Sequence, residues 1–293
     1  MAIETSAGAA AHSEEDVGNI LLLEHVNVQQ PDQSIATLFY LVGMGFTRDP
    51  HMMVGLENMW VNLGEQQFHL PTNPAQVLRG HIGLVTPSLD ALKTRLESVA
   101  DRLASTKFAW QDKGDYIDVT CPWGNTLRCY EPDPRFGNIT VGMPYVELGT
   151  PRGTSEGIAL FYQQAMGAPA AVREEDGGSL VEVGIGTYQR LIFREVDEVP
   201  PYDNHHIAVY LANMSGPYQF LNEHGLVTEQ MQNHQCRFKE IIDPRDGRPL
   251  FTLEHEVRGL HHAMYRRPLV NRTAGQYLEP RRVGGVTTFG TVM

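Results

Sequence analysis

Three histidines lie in short runs of alternating apolar and polar residues that are typical of β-strands. His69 occupies the middle of QQFHLP, His25 lies in EHVNV, and His81 lies near the start of GHIGLV. A neutral imidazole on a strand is either a hydrogen-bonded packing residue or a ligand for iron, zinc, nickel or copper. Because side chains alternate along a strand, His25 shares a face with Asn27, and His69 shares a face with Gln67, so the imidazoles can line one concave surface.

The elements that would carry these residues recur along the chain. IATLFYLVGMGF, which starts at residue 35, has a counterpart in GIALFYQQAMGA, which starts at residue 157. This repeat divides the chain into halves of about 120 residues. Each half divides again, since RGHIGLVTPSLDALKTRLESVA predicts a strand, a turn and a helix with apolar residues at helical spacing. Units of one strand, one helix and three short strands predict an α+β fold.

Composition excludes several classes of function. The formal net charge of -12 argues against a nucleic-acid partner, because binding a polyanion needs clustered lysine and arginine. No apolar run approaches the roughly 20 residues that span a bilayer, so no membrane partner is expected. Cys121, Cys129 and Cys236 lack metal-site spacing and leave an odd thiol over, which favours a reducing, cytoplasmic location. Residues 1–19 lack a secretory signal pattern and are interpreted as a mobile tail.

The sequence resembles the vicinal oxygen chelate superfamily, which includes glyoxalase I, extradiol dioxygenases and fosfomycin-resistance proteins. The most specific pieces are EHVNV, GHIGLV and CPWGNTLRCYEP, the last of which is similar to the DPxGNxxELxEP strand ending of the superfamily. The resemblance implies four βαβββ modules paired into two cup-shaped mixed sheets with helices outside. It further implies a first domain at residues 20–135 with modules one and two, a second at residues 136–270 with modules three and four, and a C-terminal extension at residues 271–293.

In this superfamily the metal ligands lie on the first and last strands of paired modules. Carried over to this chain, those positions fall on His25, His69, His81 and Arg128. The spacing from His25 to His69 is close to that from His81 to Arg128, so the two modules agree in length. A guanidinium cannot ligate, and the implied set is therefore three imidazoles with open coordination positions. The implied cofactor is a divalent transition metal, with iron expected first and zinc, manganese, nickel or cobalt as alternatives.

Other side chains are expected to contact the substrate. Arg128 stands where the superfamily has a glutamate, and its paired N–H donors suit a carboxylate or enolate; a surface ion pair is the alternative. Trp60 is expected to line the cup. Asn62 and Gln67 can hydrogen-bond to a substrate but cannot titrate. Tyr116, or a metal-bound hydroxide, is the candidate general base.

The second half offers a weaker copy of the ligand set. The repeat places three residues at ligand positions: Glu147, Gln189 and His206. Tyr145 replaces Glu147 after a shift of two residues. The last position falls near Phe251, which cannot ligate, and a further shift would bring in Glu254 or His255. A scaffold that has lost its ligands is the preferred interpretation, and a second metal site is the alternative.

The sequence therefore predicts a metal-dependent dioxygenase, isomerase or lyase that acts on a small oxygenated, anionic organic molecule, with the metal in the first cup. The alternative is a non-catalytic protein that binds or sequesters a small molecule on the same residues. A small-molecule substrate is the expected partner, and a homo-oligomer such as a dimer is left open.

Overall fold

The architecture repeats one module four times. The computed structural model describes residues 16–52, 57–175, 177–271, 277–283 and 286–292. Each module consists of a strand, a helix and three further strands. Most of the tail expected at residues 1–19 lies outside the described residues.

The elements have the following bounds. The strands of modules one and two are β1 (Ile20–Asn27), β2 (Thr47–Arg48), β3 (Asn58–Leu63), β4 (Gln66–Pro71), β5 (Gly80–Val85), β6 (Ala109–Asp112), β7 (Ile117–Thr120) and β8 (Thr126–Tyr130). Those that follow are β9 (Gly142–Pro151), β10 (Ala170–Glu175), β11 (Gly178–Gly184), β12 (Arg190–Val196), β13 (His206–Leu211), β14 (Val227–Gln232), β15 (Gln235–Ile242), β16 (Pro249–Gly259), β17 (Tyr277–Val283) and β18 (Val286–Val292). The helices are α1 (Gln33–Ala36, extended by π-helical turns over Thr37–Gly43), α2 (Leu89–Leu103), α3 (Ser155–Phe161, extended likewise over Tyr162–Met166) and α4 (Ser215–Glu223).

The strands of the four modules form two mixed sheets of eight strands each. The first sheet has the order β14-β15-β16-β13-β1-β4-β3-β2 and joins modules one and four. The second has the order β10-β11-β12-β9-β5-β8-β7-β6 and joins modules two and three. The α+β fold of paired, cup-shaped module sheets is confirmed, whereas the expected pairing of module one with module two is wrong. The division of the chain at residues 135 and 136 stays a prediction, although each sheet draws strands from both segments.

Two linkers carry the chain between the sheets, which explains this pairing. One connects β4 to β5, the other connects β12 to β13, and they contact each other. Gln76 Nε2 donates to the Asp203 carbonyl oxygen at 2.7 Å, and the Val77 amide donates to the Asp203 carboxylate at 2.6 Å. The chain thus leaves the first sheet after module one and returns to it for module four.

Strand direction gives both sheets the same internal plan. Within every module the first and last strands are parallel neighbours. The two modules of a sheet meet through their first strands, which pair antiparallel as β1 with β13 and β5 with β9. Each cup therefore has four central strands on which corresponding residues face the same concave surface.

Helices cover the convex sides, as the helical spacing of the apolar residues predicts. Ser88 caps α2 by accepting a hydrogen bond from the Ala91 amide at 3.2 Å, which satisfies one of the free amides of the first turn. The helix buries one apolar stripe, formed by Leu92, Leu96, Val99 and Leu103. None of the helices that the structure describes is both long and apolar enough to cross a bilayer.

His255, considered above as a ligand after a register shift, is buried in the core instead. Its ring stacks on Phe238 with centroids 4.4 Å apart. Tyr162 donates its hydroxyl to His255 Nε2 at 2.6 Å, and His255 Nδ1 donates to the Leu253 carbonyl at 2.7 Å. Burial lowers the pKa of His255 from 6.5 to about 4, although the bond to Leu253 opposes this shift.

This burial predicts acid sensitivity. The unfolded chain protonates His255 below pH 6.5 and the folded chain does not until about pH 4, so the free energy of unfolding falls as the pH drops through this window. Replacing His255 by Gln should reduce that loss by about 1 kcal/mol per pH unit between pH 6 and 5. Urea denaturation of both proteins at pH 7, 6 and 5 measures the effect. Identical pH slopes would contradict a buried neutral His255.

Candidate metal centre

Three imidazoles converge on the concave face of the first sheet. The nitrogen atoms of His25, His69 and His206 that could bind a metal all lie within 4.8 Å of one another. They come from β1, β4 and β13, which are adjacent strands. His25 is fully buried, His206 is 8% exposed, and His69 is partly buried.

Strand register brings these residues together. Asn27 on β1 pairs with His69 on its parallel neighbour and with His206 on its antiparallel neighbour. Paired residues on adjacent strands share a face, and so do residues two apart on one strand. His25 lies two residues before Asn27, so all three imidazoles must point into the same cup.

A β-bulge at Glu24 adds a carboxylate behind the first imidazole. Leu23 pairs with Val209 and His25 pairs with Ala208, so β1 carries one extra residue here. A bulge re-aims a side chain that would otherwise point to the opposite face. His25 Nδ1 donates to the Glu24 carboxylate at 2.9 Å, which leaves the lone pair on Nε2. That Nε2 has no hydrogen-bond partner among the described residues.

Trp60 and two amides hold His69. The rings of Trp60 and His69 stack with centroids 3.9 Å apart, and the ring of His25 meets Trp60 edge-on at 4.9 Å. Asn27 Nδ2 lies 2.6 Å from His69 Nδ1, and Asn58 Oδ1 lies 2.6 Å from His69 Nε2. Since both nitrogens are engaged, one amide must give up its bond to His69 when a metal binds.

Glu256 on β16 places a second carboxylate beside the imidazoles. Its Oε2 lies 3.6 Å from His206 Nε2, a nitrogen without a hydrogen-bond partner in the described part of the chain. Arg258 Nε donates to Glu256 Oε1 at 2.6 Å, and Arg237 Nη2 donates to Oε2. Arg258 also donates to Glu24. One guanidinium thus connects the two carboxylates of the site.

The protonation states suit metal binding. Burial, reinforced by the positive charge that the other two imidazoles carry when protonated, lowers the pKa of His69 to about 2. Burial also lowers the pKa of His206 to about 4, against the opposing effect of the nearby Glu256 carboxylate. Burial by itself would raise the pKa of Glu256, but the neighbouring His206 and nearby positive charges hold it below its ordinary value. Neutral imidazoles and an ionised carboxylate are the forms that bind a cation.

The donor set therefore fits a divalent transition metal. A buried polar atom without a hydrogen bond costs about 1–3 kcal/mol, and the Nε2 atoms of His25 and His206 are two such atoms next to the third imidazole. Coordination would satisfy both. Three imidazole ligands leave coordination positions open, as a catalytic metal requires.

The third imidazole of the cluster differs from the one predicted from the sequence. His81 lies on β5 in the second sheet, where its Nε2 is 3.1 Å from the Tyr145 hydroxyl. It therefore does not join His25 and His69. Because module one pairs with module four, His206 takes the place expected for His81.

Arg128 and Tyr116 also lie in the second cup. Arg128 Nε donates to Asp118 at 3.1 Å, and its guanidinium lies 4.8 Å from the centroid of the Tyr116 ring. Neither residue can act as substrate anchor or general base at the imidazole cluster from this position. The expectation that Arg128 shares a cup with His69 is wrong for the same reason as for His81.

The residues expected to contact substrate are in the first cup but are engaged with the protein. Gln67 Nε2 donates to Asn62 Oδ1 at 2.6 Å and to Asp49 Oδ2 at 3.0 Å. Asn62 Nδ2 donates to the Val270 carbonyl at 2.8 Å. These amides therefore attach the segment 260–271 across the cup. Substrate contact by Trp60, which packs directly on an imidazole, stays a prediction.

The second predicted set is dispersed. Glu147 on β9 accepts from Arg194 Nε at 2.8 Å in the second sheet. Gln189 bonds the backbone of Leu23, accepting from its amide at 3.0 Å and donating to its carbonyl at 3.3 Å. His206 belongs to the first cup. Glu147, Gln189 and His206 therefore do not form a second metal site.

Sequence reasoning missed Glu24 and Glu256. The repeat alignment placed the last ligand position near Phe251 and reached Glu254 by a shift, two residues short of Glu256. The alternation of Glu254, Glu256 and Arg258 in LFTLEHEVRG was the available signal, but it does not show which residue lies opposite His206. A bulge at Glu24 has no sequence signal of its own.

A cavity adjoins the site at the end of the cup that segment 260–271 covers. It has a volume of about 680 Å³ and is lined by Glu24, Tyr210 and Met264, among others. Glu24 therefore faces this cavity and contacts His25 as well. The volume is within the range of small-molecule pockets.

Solved structures share this fold. Glyoxalase I from Zea mays is 13% identical over 81% of this chain and 92% of that chain, with a TM-score of 0.55. A putative dioxygenase from Bacillus subtilis subsp. subtilis str. 168 is 16% identical over 82% of this chain and 85% of that chain, with a TM-score of 0.54. No protein-family model and no curated protein matches the sequence. The structural likeness shows the fold of the vicinal oxygen chelate superfamily and confirms the resemblance at that level.

The carboxylate behind His25 leads to a prediction. Replacing Glu24 by Gln keeps the size of the side chain and removes its charge, which should weaken metal binding by about tenfold because an outer carboxylate raises the basicity of its imidazole. Zinc titration against a competing chelator measures the change.

The matched control is Glu147→Gln. Glu147 is also an arginine-paired glutamate on the first strand of a module, but it lies in the second sheet. Its replacement should leave zinc affinity unchanged. Equal affinities for wild type and Glu24→Gln would contradict the orienting role of Glu24.

Proposed function

We propose that this protein is a metal-dependent enzyme that acts on a small organic molecule with two neighbouring oxygen atoms. His25, His69 and His206 would hold the ion. One observation carries the proposal: two buried imidazole nitrogens that have no hydrogen-bond partner in the described part of the chain lie in one cluster with a third imidazole. The fold shared with a glyoxalase and a putative dioxygenase supports it as well.

The donor set favours a borderline metal over magnesium or calcium. Imidazole suits iron, zinc, nickel and cobalt, whereas the hard cations prefer oxygen ligands. Iron remains the first proposal, since imidazoles with an adjacent carboxylate and open positions resemble the ligand sets of non-haem iron enzymes. When bound, the metal would polarise the substrate oxygens as a Lewis acid.

The protein's own residues shape and charge the site. Trp60 and Asn58 fix the ring of His69, and Glu24 fixes that of His25. Glu256, ionised and held by Arg258 and Arg237, is positioned either to ligate the ion or to accept a proton at its Oε2. Its lowered pKa makes it a weak base, so its charge is the larger contribution.

The charge balance favours an anionic substrate. Neutral imidazoles do not offset the charge of a divalent cation. The arginines of the first cup are paired with its carboxylates, as Arg258 is with Glu24 and Glu256. An ionised substrate oxygen would therefore supply the remaining negative charge.

The cysteines are free and buried, which supports the proposal of a reducing, cytoplasmic location.

Metal binding tests the proposal. Replacing His206 by Ala should lower metal occupancy by roughly tenfold, because one of the three proposed ligands is lost. Replacing His81 by Ala should leave occupancy at the wild-type level, although the earlier sequence alignment placed His81 in the site. Elemental analysis of untagged protein reconstituted with iron or zinc measures occupancy. Equal loss in both variants, or in neither, would refute this site.

Catechol, which carries two neighbouring hydroxyls, serves as a substrate probe. We expect calorimetry to show catechol binding to iron-loaded wild type and at least about tenfold weaker binding to His206→Ala. Oxygen uptake with catechol would identify a dioxygenase. Metal-dependent binding without oxygen uptake would indicate an isomerase or lyase, and binding that does not depend on metal would favour the non-catalytic alternative.

A further inference from the structure

The second cup repeats the geometry of the first with different side chains. In the first cup, His25 pairs with Gln67, and the ligand His69 lies two residues beyond that partner. In the second cup, His81 pairs with Thr126, and Arg128 lies two residues beyond.

Counting two residues from a strand partner also locates the corresponding residue on the second module of each cup. His25 pairs with Ala208 on β13, and the ligand His206 lies two residues before it. His81 pairs with Glu147 on β9, and Tyr145 lies two residues before that residue. In the first cup the fourth position is Glu256, two residues beyond the strand partner of His206. Two residues beyond the strand partner of Tyr145, the second cup has Ile192 on β12.

This set cannot hold a metal in the way proposed for the first cup. Arg128 has no lone pair to donate, Ile192 has no donor atom, and Tyr145 ligates only after losing its proton. Burial and the hydrogen bond with Tyr130 raise the pKa of Tyr145 well above its ordinary value. His81 is the one ordinary ligand among the four positions.

The set does present donors to an anion. Arg128 is half-buried, and Asp118 accepts from its Nε at 3.1 Å. Its terminal nitrogens make no hydrogen bond to any residue that the structure describes. Asp118 therefore orients the guanidinium by one edge and leaves the paired donors of the other edge for a ligand.

Aromatic groups surround these donors. The Tyr145 hydroxyl lies 3.1 Å from His81 Nε2 and 3.0 Å from the Tyr130 hydroxyl. The ring of Tyr116 lies against the guanidinium of Arg128. Rings beside a charged donor suit a ligand with an apolar or aromatic body and one anionic end.

We infer that the second cup binds a small aromatic carboxylate without a metal, through the guanidinium of Arg128 and the hydroxyl of Tyr145. Two acidic residues nearby do not oppose this. Glu147 is neutralised by Arg194 at 2.8 Å, and Asp118 holds the opposite edge of Arg128. The fixed positive charge of Arg128 takes the role that a cation has in the first cup.

Calorimetric titration of the full-length protein with benzoate tests the inference. Wild type should bind one equivalent, and benzyl alcohol, which lacks the charge, should bind at least about tenfold more weakly. Arg128→Gln should weaken benzoate binding by at least about tenfold. Arg173→Gln, a control at an ion-paired arginine on the far edge strand of the same sheet, should leave it within about twofold of wild type.

Two further variants keep the test decisive if Arg128→Gln folds poorly. Asp118→Asn keeps an oxygen that can accept from Arg128 Nε and so orient the guanidinium, but it removes a negative charge near the bound anion, so benzoate should bind more tightly. His206→Ala alters the first cup alone and should leave benzoate binding unchanged. Absence of binding to wild type, equal loss in Arg128→Gln and Arg173→Gln, weaker binding in Asp118→Asn, or loss in His206→Ala would each overturn the inference.

Discussion

The pairing of β1 with β4 on one side and β13 on the other is the constraint on which the candidate site depends. It places Asn27 opposite both His69 and His206, with His25 two residues away on the same face. A slip of one residue in either ladder would turn an imidazole to the opposite side of the sheet. The buried apolar residues that alternate with the imidazoles prevent such a slip, because it would expose them. The apolar core thus fixes the strand register, and the register decides which side chains face the cup.

The charged network around the imidazoles is a second constraint. Glu24, Glu256 and Arg258 are nearly fully buried, and moving ions out of water costs several kcal/mol each before pairing compensates. Such a network is weak evidence for stability. The network instead fixes the positions of the charged groups, because one guanidinium binds both the carboxylate that orients His25 and the carboxylate beside His206. Because Arg258 pairs with both, a movement of either carboxylate would break its own ion pair with that guanidinium.

The two cups show how one backbone plan supports different binding chemistry. Register fixes the four corresponding positions in each cup, and the side chains at those positions decide what can bind. Imidazoles and a carboxylate favour a cation in the first cup. Arginine and tyrosine present hydrogen-bond donors in the second. A fold therefore specifies where a ligand would lie, whereas individual residues specify its charge and class.

Local sequence was sufficient to predict the four modules, and the resemblance to the superfamily then indicated two of the three imidazoles. Alternating runs identify strands and their faces, and the spacing of Leu92, Leu96 and Val99 identifies a helix, because these periodicities reflect local geometry. His25 and His69 lie in one module, so their relation depends on contacts within about 45 residues, a range in which neighbouring elements usually pack together.

Only the tertiary structure decided which module completes the site. Modules of equal length allow module one to pair with module two or with module four, and the strand patterns are the same in both cases. The choice of His206 over His81 depends on linkers that cross between sheets and meet at Gln76 and Asp203, a contact between residues far apart in the chain. The bulge at Glu24 likewise depends on the partner strand, since an extra residue is defined only relative to the strand that it opposes.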